Sequence, residues 1–235
     1  MNLLPTLSGM SSLWAQYGSS LLDGLGMTLQ IAVIAIAGSL IVGMIVAFAR
    51  LSTFAPLRTA AAAYVDFVRC VPLLAHAMFW YFGITELLPD VAKDWLYDRD
   101  ASMILGSVAL IVYSAAFVSE DLRSGIRSVS KGQTEAARAL GFGLFDTFRL
   151  VVLPQAVRAV IPSLIGQAMT ITKNTSITLM IGVVELISAA RRVQDTTFRI
   201  VEPYAFATIS YLVICSLLTL LAMRYERWAK GASNA

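Results

Sequence analysis

The strongest constraint on the fold is a block from Gly24 to Ala49 that contains no charged side chain. A helix needs about 20 mostly apolar residues to cross the hydrocarbon core of a bilayer, and this block exceeds that length. The whole chain has the same character, because 57% of its 235 residues are apolar, only 14% are charged and the mean hydropathy is +0.72. Soluble domains carry about 25% charged residues. The sequence therefore predicts an all-α integral membrane protein.

Five apolar blocks are present, and each predicts one membrane-spanning helix. They lie at about 24–49, 59–82, 101–119, 159–184 and 203–223. The chain then divides into an N-terminal periplasmic segment at 1–23, a single transmembrane domain at 24–226 and a cytoplasmic tail at 227–235. Eleven Lys and Arg residues fall on one side of the five spans and five fall on the other. By the positive-inside rule, the N-terminus lies outside and the C-terminus lies in the cytoplasm.

Charge and cysteine content argue against several functional classes. The formal charge of +3 is spread along the chain without a basic run, so the sequence predicts no nucleic-acid partner. Cys70 and Cys215 both lie in apolar blocks and form no CxxC pair, so neither a disulfide framework nor a metal site is predicted. The first 23 residues contain no Lys or Arg and no clear cleavage site, and we do not expect them to form a removable signal peptide.

The outer connection between spans two and three is acidic. Asp90, Asp94 and Asp98 recur every four residues, so a short helix there would carry one acidic face. Two interpretations remain open. The face is either solvated and anchored at the lipid headgroups by Trp95 and Tyr97, or it is a docking surface for a soluble partner.

The longest cytoplasmic connection contains the most specific pattern in the chain. Its central part, from about 131 to 154, is too polar to cross a membrane. Thr134 is a suitable N-cap, Glu135 lies in the first turn, where the helix dipole favours an acid, and Gly141 is a suitable helix stop. A second short helix would follow and end at Pro154, which restricts the backbone before it. We expect two short helices that form a compact knob on the cytoplasmic face.

The same connection matches a known motif. Glu135-Ala136-Ala137 is followed after three intervening residues by Gly141 and, after nine more intervening residues, by Val151, with Leu153 and Pro154 just beyond it. This pattern resembles the EAA loop of permease subunits in bacterial ATP-binding-cassette (ABC) importers, in which an Ile stands in place of Val151. The resemblance covers about residues 21–228. The resemblance extends to four further segments, at 67–74, 131–133, 153–156 and 173–176, and together they resemble the polar amino acid uptake group of these permeases.

The resemblance implies a type I ABC importer fold with five core helices in the bacterial cytoplasmic (inner) membrane. It implies a dimer with a second copy or a paralogue, an ATPase dimer bound at the EAA loop, and a periplasmic or lipid-anchored substrate-binding protein outside. The chain has no GxxxxGK[ST] loop to cradle ATP. It is therefore predicted to be a non-catalytic subunit that binds no cofactor directly, while the ATPase uses ATP and Mg²⁺. The substrate would be glutamate, aspartate or glutamine.

The EAA resemblance also assigns the residues that would contact the ATPase. Small alanines permit close approach, while Glu135 supplies an acid for capping or for a cation on the ATPase. A short, rigid helix in close contact would transmit the motion of the ATPase, although an ordinary amphipathic surface helix remains the alternative. The predicted coupling residues are Glu135, Ala136, Ala137, Arg138, Leu140, Gly141 and Phe142.

Polar and ionisable residues at membrane depth are costly, so they are usually paired or functional. In span two, Asp66 and Arg69 can neutralise each other, while Pro72 would interrupt the helix beside a translocation path. In span four, Lys173 can snorkel, pair with an acid or attract a substrate carboxylate. The candidate pathway residues are Arg69, Pro72, His76, Glu120, Lys173, Asn174, Thr175 and Ser176.

These features together predict the permease subunit of an ATP-driven amino acid importer that works by alternating access. The alternative is a secondary transporter or channel that is not driven by ATP. Such transporters commonly show inverted repeats and membrane-embedded acids. The sequence shows no internal repeat and no acid in spans one, three or five.

Overall fold

A computed structural model describes the chain from residue 7 to residue 233, and its side chains from 13 to 229. Within those limits the chain forms helices and short turns, and no strand. The α-helices are α1 (Leu7–Leu51), α2 (Ala55–Cys70), α3 (Leu73–Met78), α4 (Thr85–Leu87), α5 (Asp90–Tyr97), α6 (Ala101–Ser128), α7 (Lys131–Ala139), α8 (Leu144–Asp146), α9 (Leu153–Asn174), α10 (Leu186–Thr197) and α11 (Val201–Ser233). Two π-helical turns and one 3₁₀ helix are the remaining helical elements of the described residues, at Phe79–Ile84, Thr147–Val152 and Thr175–Ile181.

Among residues 7–233, four helical segments are long and apolar enough to cross a membrane. They are Leu13–Leu51, Ala101–Ser128, Leu144–Ile181 and Val201–Ala229. The broken pair Ala55–Cys70 and Leu73–Leu87 provides a fifth crossing if it counts as one span. The predicted all-α membrane fold is therefore confirmed, whereas the side of the membrane on which each terminus lies stays a prediction.

The first and last helices are longer than the apolar blocks within them. Helix α1 begins at Leu7, so residues 7–23, which hydropathy places ahead of span one, are the first turns of the same helix. This stretch contains no proline that would end the helix, and Leu13 and Leu21 within it are buried. Helix α11 likewise continues to Ser233, past the expected start of the tail. Residues 1–6 and 234–235 lie outside the described part of the chain.

The second predicted span consists of two helices rather than one. Helix α2 ends at Cys70, and Pro72 (φ −59°, ψ 140°) occupies the N-cap position of α3. Proline lacks a donor N–H and disfavours a helical conformation at the preceding Val71. The helix is therefore interrupted at the position that Pro72 predicts.

The fourth predicted span changes its winding where its polar residues begin. It is α-helical to Asn174 and 3₁₀-helical from there to Ile181, after which Gly182 adopts a left-handed conformation with a φ of 91°. The hydroxyls of Thr175 and Thr178 donate to carbonyls three residues earlier, at 2.8 and 2.7 Å. Side-chain bonds of this kind compete with the α-helical ladder, and short 3₁₀ segments at helix ends are common.

The chain divides into two compact units. The first unit comprises residues up to 37, 71–111 and 170–217, and the second comprises 38–70, 112–169 and residues from 218 onward. The core of the first unit includes Leu13 and Leu21 of α1, which belong to the same buried cluster as Leu186 of α10. The core of the second unit joins α2 to α6 through Val65, Val68 and Ala116.

Gly24 in the first unit and Gly43 in the second permit close helix contacts. In the first unit, a Cβ on Gly24 of α1 would lie 2.7 Å from the Cβ of Ala189 on α10. In the second unit, a Cβ on Gly43 of α1 would lie 2.6 Å from Cγ1 of Val118 on α6. Any larger side chain at either position would force the two helices apart.

Candidate functional site: the coupling loop and the polar clusters

The candidate coupling loop begins with α7, which lies outside the membrane-spanning segments. Helix α7 starts at Lys131, so the predicted N-cap at Thr134 is wrong. Ser130 occupies the N-cap position instead, although its side chain caps no amide. Serine is also a preferred N-cap residue, and it comes first along the chain. Thr134 and Glu135 therefore lie beyond the first three residues of the helix.

The end of α7 is closed by the glycine that the sequence predicts. Gly141 has a φ of 88°, which glycine adopts without strain. The amide of Phe142 donates to the carbonyl of Ala137 at 3.1 Å, and that of Gly141 donates to the carbonyl of Arg138 at 3.0 Å. This pair of bonds is the Schellman arrangement. It holds the turn after α7 in one conformation.

The loop continues into span four without a break. The π turn Thr147–Val152 joins α8 to α9, so the prediction that the second short helix ends at Pro154 is wrong. Pro154 is the second residue of α9 and directly follows the π turn, so the helical chain passes through it. Helix α7 packs against the π turn, and Ala137 is buried. A displacement of α7 would therefore act directly on the start of span four.

The surface of the loop carries an apolar patch, here called the coupling patch, formed by Leu140, Leu144 and Phe145. These side chains are 80%, 70% and 70% exposed. Six of the seven predicted coupling residues are also exposed, and the exception is Ala137, which faces its own chain. The exposed six are Glu135, Ala136, Arg138, Leu140, Gly141 and Phe142.

Glu120, a predicted pathway residue, lies in an ion cluster of the second unit. Its carboxylate accepts a bond from Nη2 of Arg123 at 2.6 Å and pairs with the guanidinium of Arg50. The three side chains are 14–20% exposed. Because two arginines already contact this single carboxylate, Glu120 ties α1 to α6 rather than standing free for a substrate.

Arg69 belongs to the same unit but has a different partner from the one expected. Within the described part of the chain, no ion pair joins Arg69 to Asp66, although their spacing permits one. The Arg69 guanidinium lies instead over the ring of Phe117 on α6, 5.6 Å from its centroid. Such a cation–π contact is worth about 0.5–2 kcal/mol. The ring comes from another helix, which the spacing along α2 could not indicate.

Lys173 lies in the last turn of α9, and its side chain is exposed. A cation is favoured at this end of a helix by the dipole. No acid among residues 7–233 forms an ion pair with Lys173, so the predicted pairing with a neighbouring acid is not formed within the chain. Asn174 and Ser176 are half-buried, while Thr175 is buried and its hydroxyl lies 3.5 Å from that of Tyr211.

The first unit brings two of the predicted polar segments together. Helix α3, which follows Pro72 and carries the buried His76, packs against the 3₁₀ helix that begins at Thr175. The interrupted part of span two and the polar part of span four are therefore neighbours. Arg69 and Glu120 belong to the second unit.

Sequence reasoning missed the most deeply buried acid of the first unit, Glu185, which is 0% exposed. It occupies the N-cap position of α10, where Oε1 accepts from the amide of Ser188 at 2.7 Å and Oε2 accepts from the amide of Ile187 at 3.0 Å. Burial raises the pKa of the Glu185 carboxyl above its usual 4.5, while these amide hydrogen bonds act in the opposite direction. The sequence signal is slight: an acid flanked by Val184 and Leu186 just after span four.

Glu185 also joins three helices of the first unit. The hydroxyl of Tyr211 on α11 donates to Oε2 at 3.2 Å. Thr28 on α1 lies 3.5 Å from the same oxygen, and its hydroxyl accepts from the amide of Leu186 at 3.0 Å. The start of α10 is thus held between α1 and α11 by a connected set of hydrogen bonds.

The family model described as "Binding-protein-dependent transport system inner membrane component" matches residues 39–231 of this chain. The chain belongs to this family. The permease is 39% identical to the probable glutamine ABC transporter permease protein GlnM of Bacillus subtilis, over 83% of this chain and 87% of the relative. It is 42% identical to the glutamate transport system permease protein GluC of Corynebacterium efficiens, over 75% and 78% of the two chains.

A solved structure agrees with this family. The permease matches a chain of an amino acid ABC transporter crystallised with histidines at a TM-score of 0.82 and 29% identity. The match covers 91% of the permease and 95% of the other chain.

Family membership confirms the resemblance based on the EAA loop and the predicted inner-membrane location. The matched residues include the whole coupling loop and Glu185. A binding-protein-dependent system is the class that the loop predicts, and the alternative of a secondary transporter or channel finds no support in the family or in these relatives. No cluster of three or more metal-ligating side chains occurs in the part of the permease that the structure describes.

Proposed function

We propose that this permease forms the pathway of an ATP-driven importer for glutamate, aspartate or glutamine and is coupled by α7 and α8 to a separate ATPase dimer. It would pair with a second permease subunit, either another copy or a paralogue, and receive substrate from a periplasmic or lipid-anchored binding protein. The permease binds no cofactor in this proposal, and ATP and Mg²⁺ are used by the ATPase.

The observation that carries the coupling role is the exposed coupling patch. Large apolar side chains exposed on α8 and just after α7, at the end of the polar connection, cost free energy wherever they face water, and such patches mark contacts with partner proteins. The Schellman turn at Gly141 keeps the loop rigid, and the π turn connects it directly to α9. A partner bound to the patch could therefore move span four as the partner opens and closes.

The substrate class rests on the relatives and on one cation. The two relatives described above are named for glutamine and glutamate. The exposed ammonium of Lys173 stands beside the half-buried side chain of Asn174, where an α-carboxylate or an acidic side chain would find a positive charge and an amide donor. The hydroxyls of Thr175 and Ser176 already donate to backbone carbonyls.

Reconstitution tests the proposal directly. The permease, its ATPase and its binding protein are placed in proteoliposomes, and uptake of radiolabelled glutamate, aspartate and glutamine is measured with and without ATP. We expect uptake of at least one of these amino acids only when ATP and both partners are present. Uptake that needs no ATP would overturn the proposal.

Variants of the loop test the coupling role. Leu140→Ser combined with Phe145→Ser, and separately Glu135→Lys, should leave membrane insertion intact but weaken co-purification of the ATPase and abolish most uptake. Leu87→Ser is the matched control, because Leu87 is 77% exposed but lies outside the loop. If the loop variants transport as well as the control, this loop is not the contact with the ATPase.

A further inference from the structure

The second unit contains an apolar groove that the proposed coupling role does not use. Helices α1, α6 and α9 and the π turn before α9 contribute to it. The lining residues are Met44, Ala47 and Phe48 of α1, Leu122 and Ile126 of α6, Phe148 of the π turn, and Leu153, Ala156, Val157 and Val160 of α9. Every lining side chain is apolar, and the volume is about 120 Å³. Phe48 is 57% exposed, so the groove is open to its surroundings.

In the sequence, an arginine directly follows two of the residues that line the groove. Arg127 follows Ile126, and Arg149 follows Phe148. Both arginines are exposed, and neither forms an ion pair within residues 7–233. This distinguishes them from Arg50, two residues after Phe48, whose guanidinium is paired with Glu120.

We propose that the groove binds one acyl chain of an anionic phospholipid whose phosphate is bound by Arg127 and Arg149. The apolar walls match a hydrocarbon chain, and a guanidinium can form two parallel hydrogen bonds with phosphate. Basic pockets beside membrane spans are known to select anionic headgroups. This site is independent of the transported substrate and goes beyond the proposed function.

The charges favour a lipid over a second copy of the chain as the occupant. An apolar helix face placed in the groove would fill it but would leave the guanidinium groups of Arg127 and Arg149 without partners. An anionic phospholipid supplies the apolar chain and the negative charge in one molecule. A zwitterionic lipid supplies the chain but carries a cation that the arginines repel.

Native mass spectrometry of the purified complex tests the arginines. The complex is offered phosphatidylglycerol or phosphatidylcholine with identical acyl chains, and we expect retention of phosphatidylglycerol in preference. Each arginine near a headgroup is worth about fivefold in anionic-lipid binding, so Arg127→Gln with Arg149→Gln should lower retention about 30-fold. Arg224→Gln with Arg227→Gln is the control, since these exposed arginines of α11 are remote from the lining residues in sequence and should have little effect.

A second pair of variants tests the groove itself. Val157 lines it and is 45% exposed, so Val157→Trp should fill the space and reduce lipid retention, whereas Val213→Trp on α11, at a position 51% exposed, should not. Equal retention of the two lipids, or no loss in the double arginine variant, would overturn the proposal. A disulfide between two chains that carry Val157→Cys would also overturn it, because it would place a second copy in the groove.

Discussion

Replacing Glu185 with alanine should destabilise the first unit. The substitution removes the acceptor for the amides of Ser188 and Ile187 and for the hydroxyl of Tyr211. Loss of an N-cap costs about 1 kcal/mol, and a buried donor left without a partner costs about 1–3 kcal/mol. We therefore expect a loss of roughly 3 kcal/mol, which corresponds to a fall in Tm of about 6–12 °C for a chain of this size.

The measurement is thermal unfolding of the purified permease in one fixed detergent. Glu185→Gln keeps one acceptor oxygen and should fall between the native chain and Glu185→Ala. Glu226→Ala is the control, because Glu226 is an exposed glutamate on α11 and should leave Tm unchanged.

A double-mutant cycle identifies the cause of the loss. Tyr211→Phe removes the hydroxyl that donates to Glu185, so the combined variant should lose less than the sum of the two single changes. If Glu185→Ala melts within about 1 °C of the native chain, or if the two effects simply add, the hydrogen bonds do not hold α10 in place.

Three further predictions concern other sites. Gly24→Ala should lower stability by roughly 1–3 kcal/mol in a melting experiment because its Cβ would lie 2.7 Å from that of Ala189, whereas Gly26→Ala, which meets no atom within 4 Å, should not; equal melting would contradict this packing. Glu120→Gln should lower the free energy of unfolding by about 3 kcal/mol in the same melting experiment, because two partly buried arginines would be left together without a carboxylate. Glu86→Gln, at an exposed position, is the control and should leave the melting unchanged. Lys173→Met should reduce amino acid uptake sharply while assembly and basal ATPase activity persist, and unchanged uptake would remove Lys173 from the pathway.

Local patterns were sufficient for much of the fold and for the coupling loop. Apolar blocks of spanning length identified the membrane helices, because a bilayer accepts only segments of that length whose backbone groups bond internally. Pro72 interrupts a helix and Gly141 ends one. The fixed ring of proline and the freedom of glycine to adopt a φ of 88° are properties of the residue types themselves, so the sequence shows them directly. The start of α7 and the passage through Pro154 were mispredicted, because two N-cap candidates compete and a π turn leaves few traces in a sequence.

The partners of the charged residues were decided only by the tertiary structure. Glu185 is bound by Thr28, which is 157 residues away along the chain, and by Tyr211, which is 26 residues away. Glu120 is shared by Arg50 and Arg123, and Arg69 lies on Phe117 instead of pairing with Asp66. Spacing along one helix shows which neighbours are possible, but the donors that surround a buried carboxylate come from other helices. Only the packing of those helices determines whether an acid is exposed, paired or used as a cap.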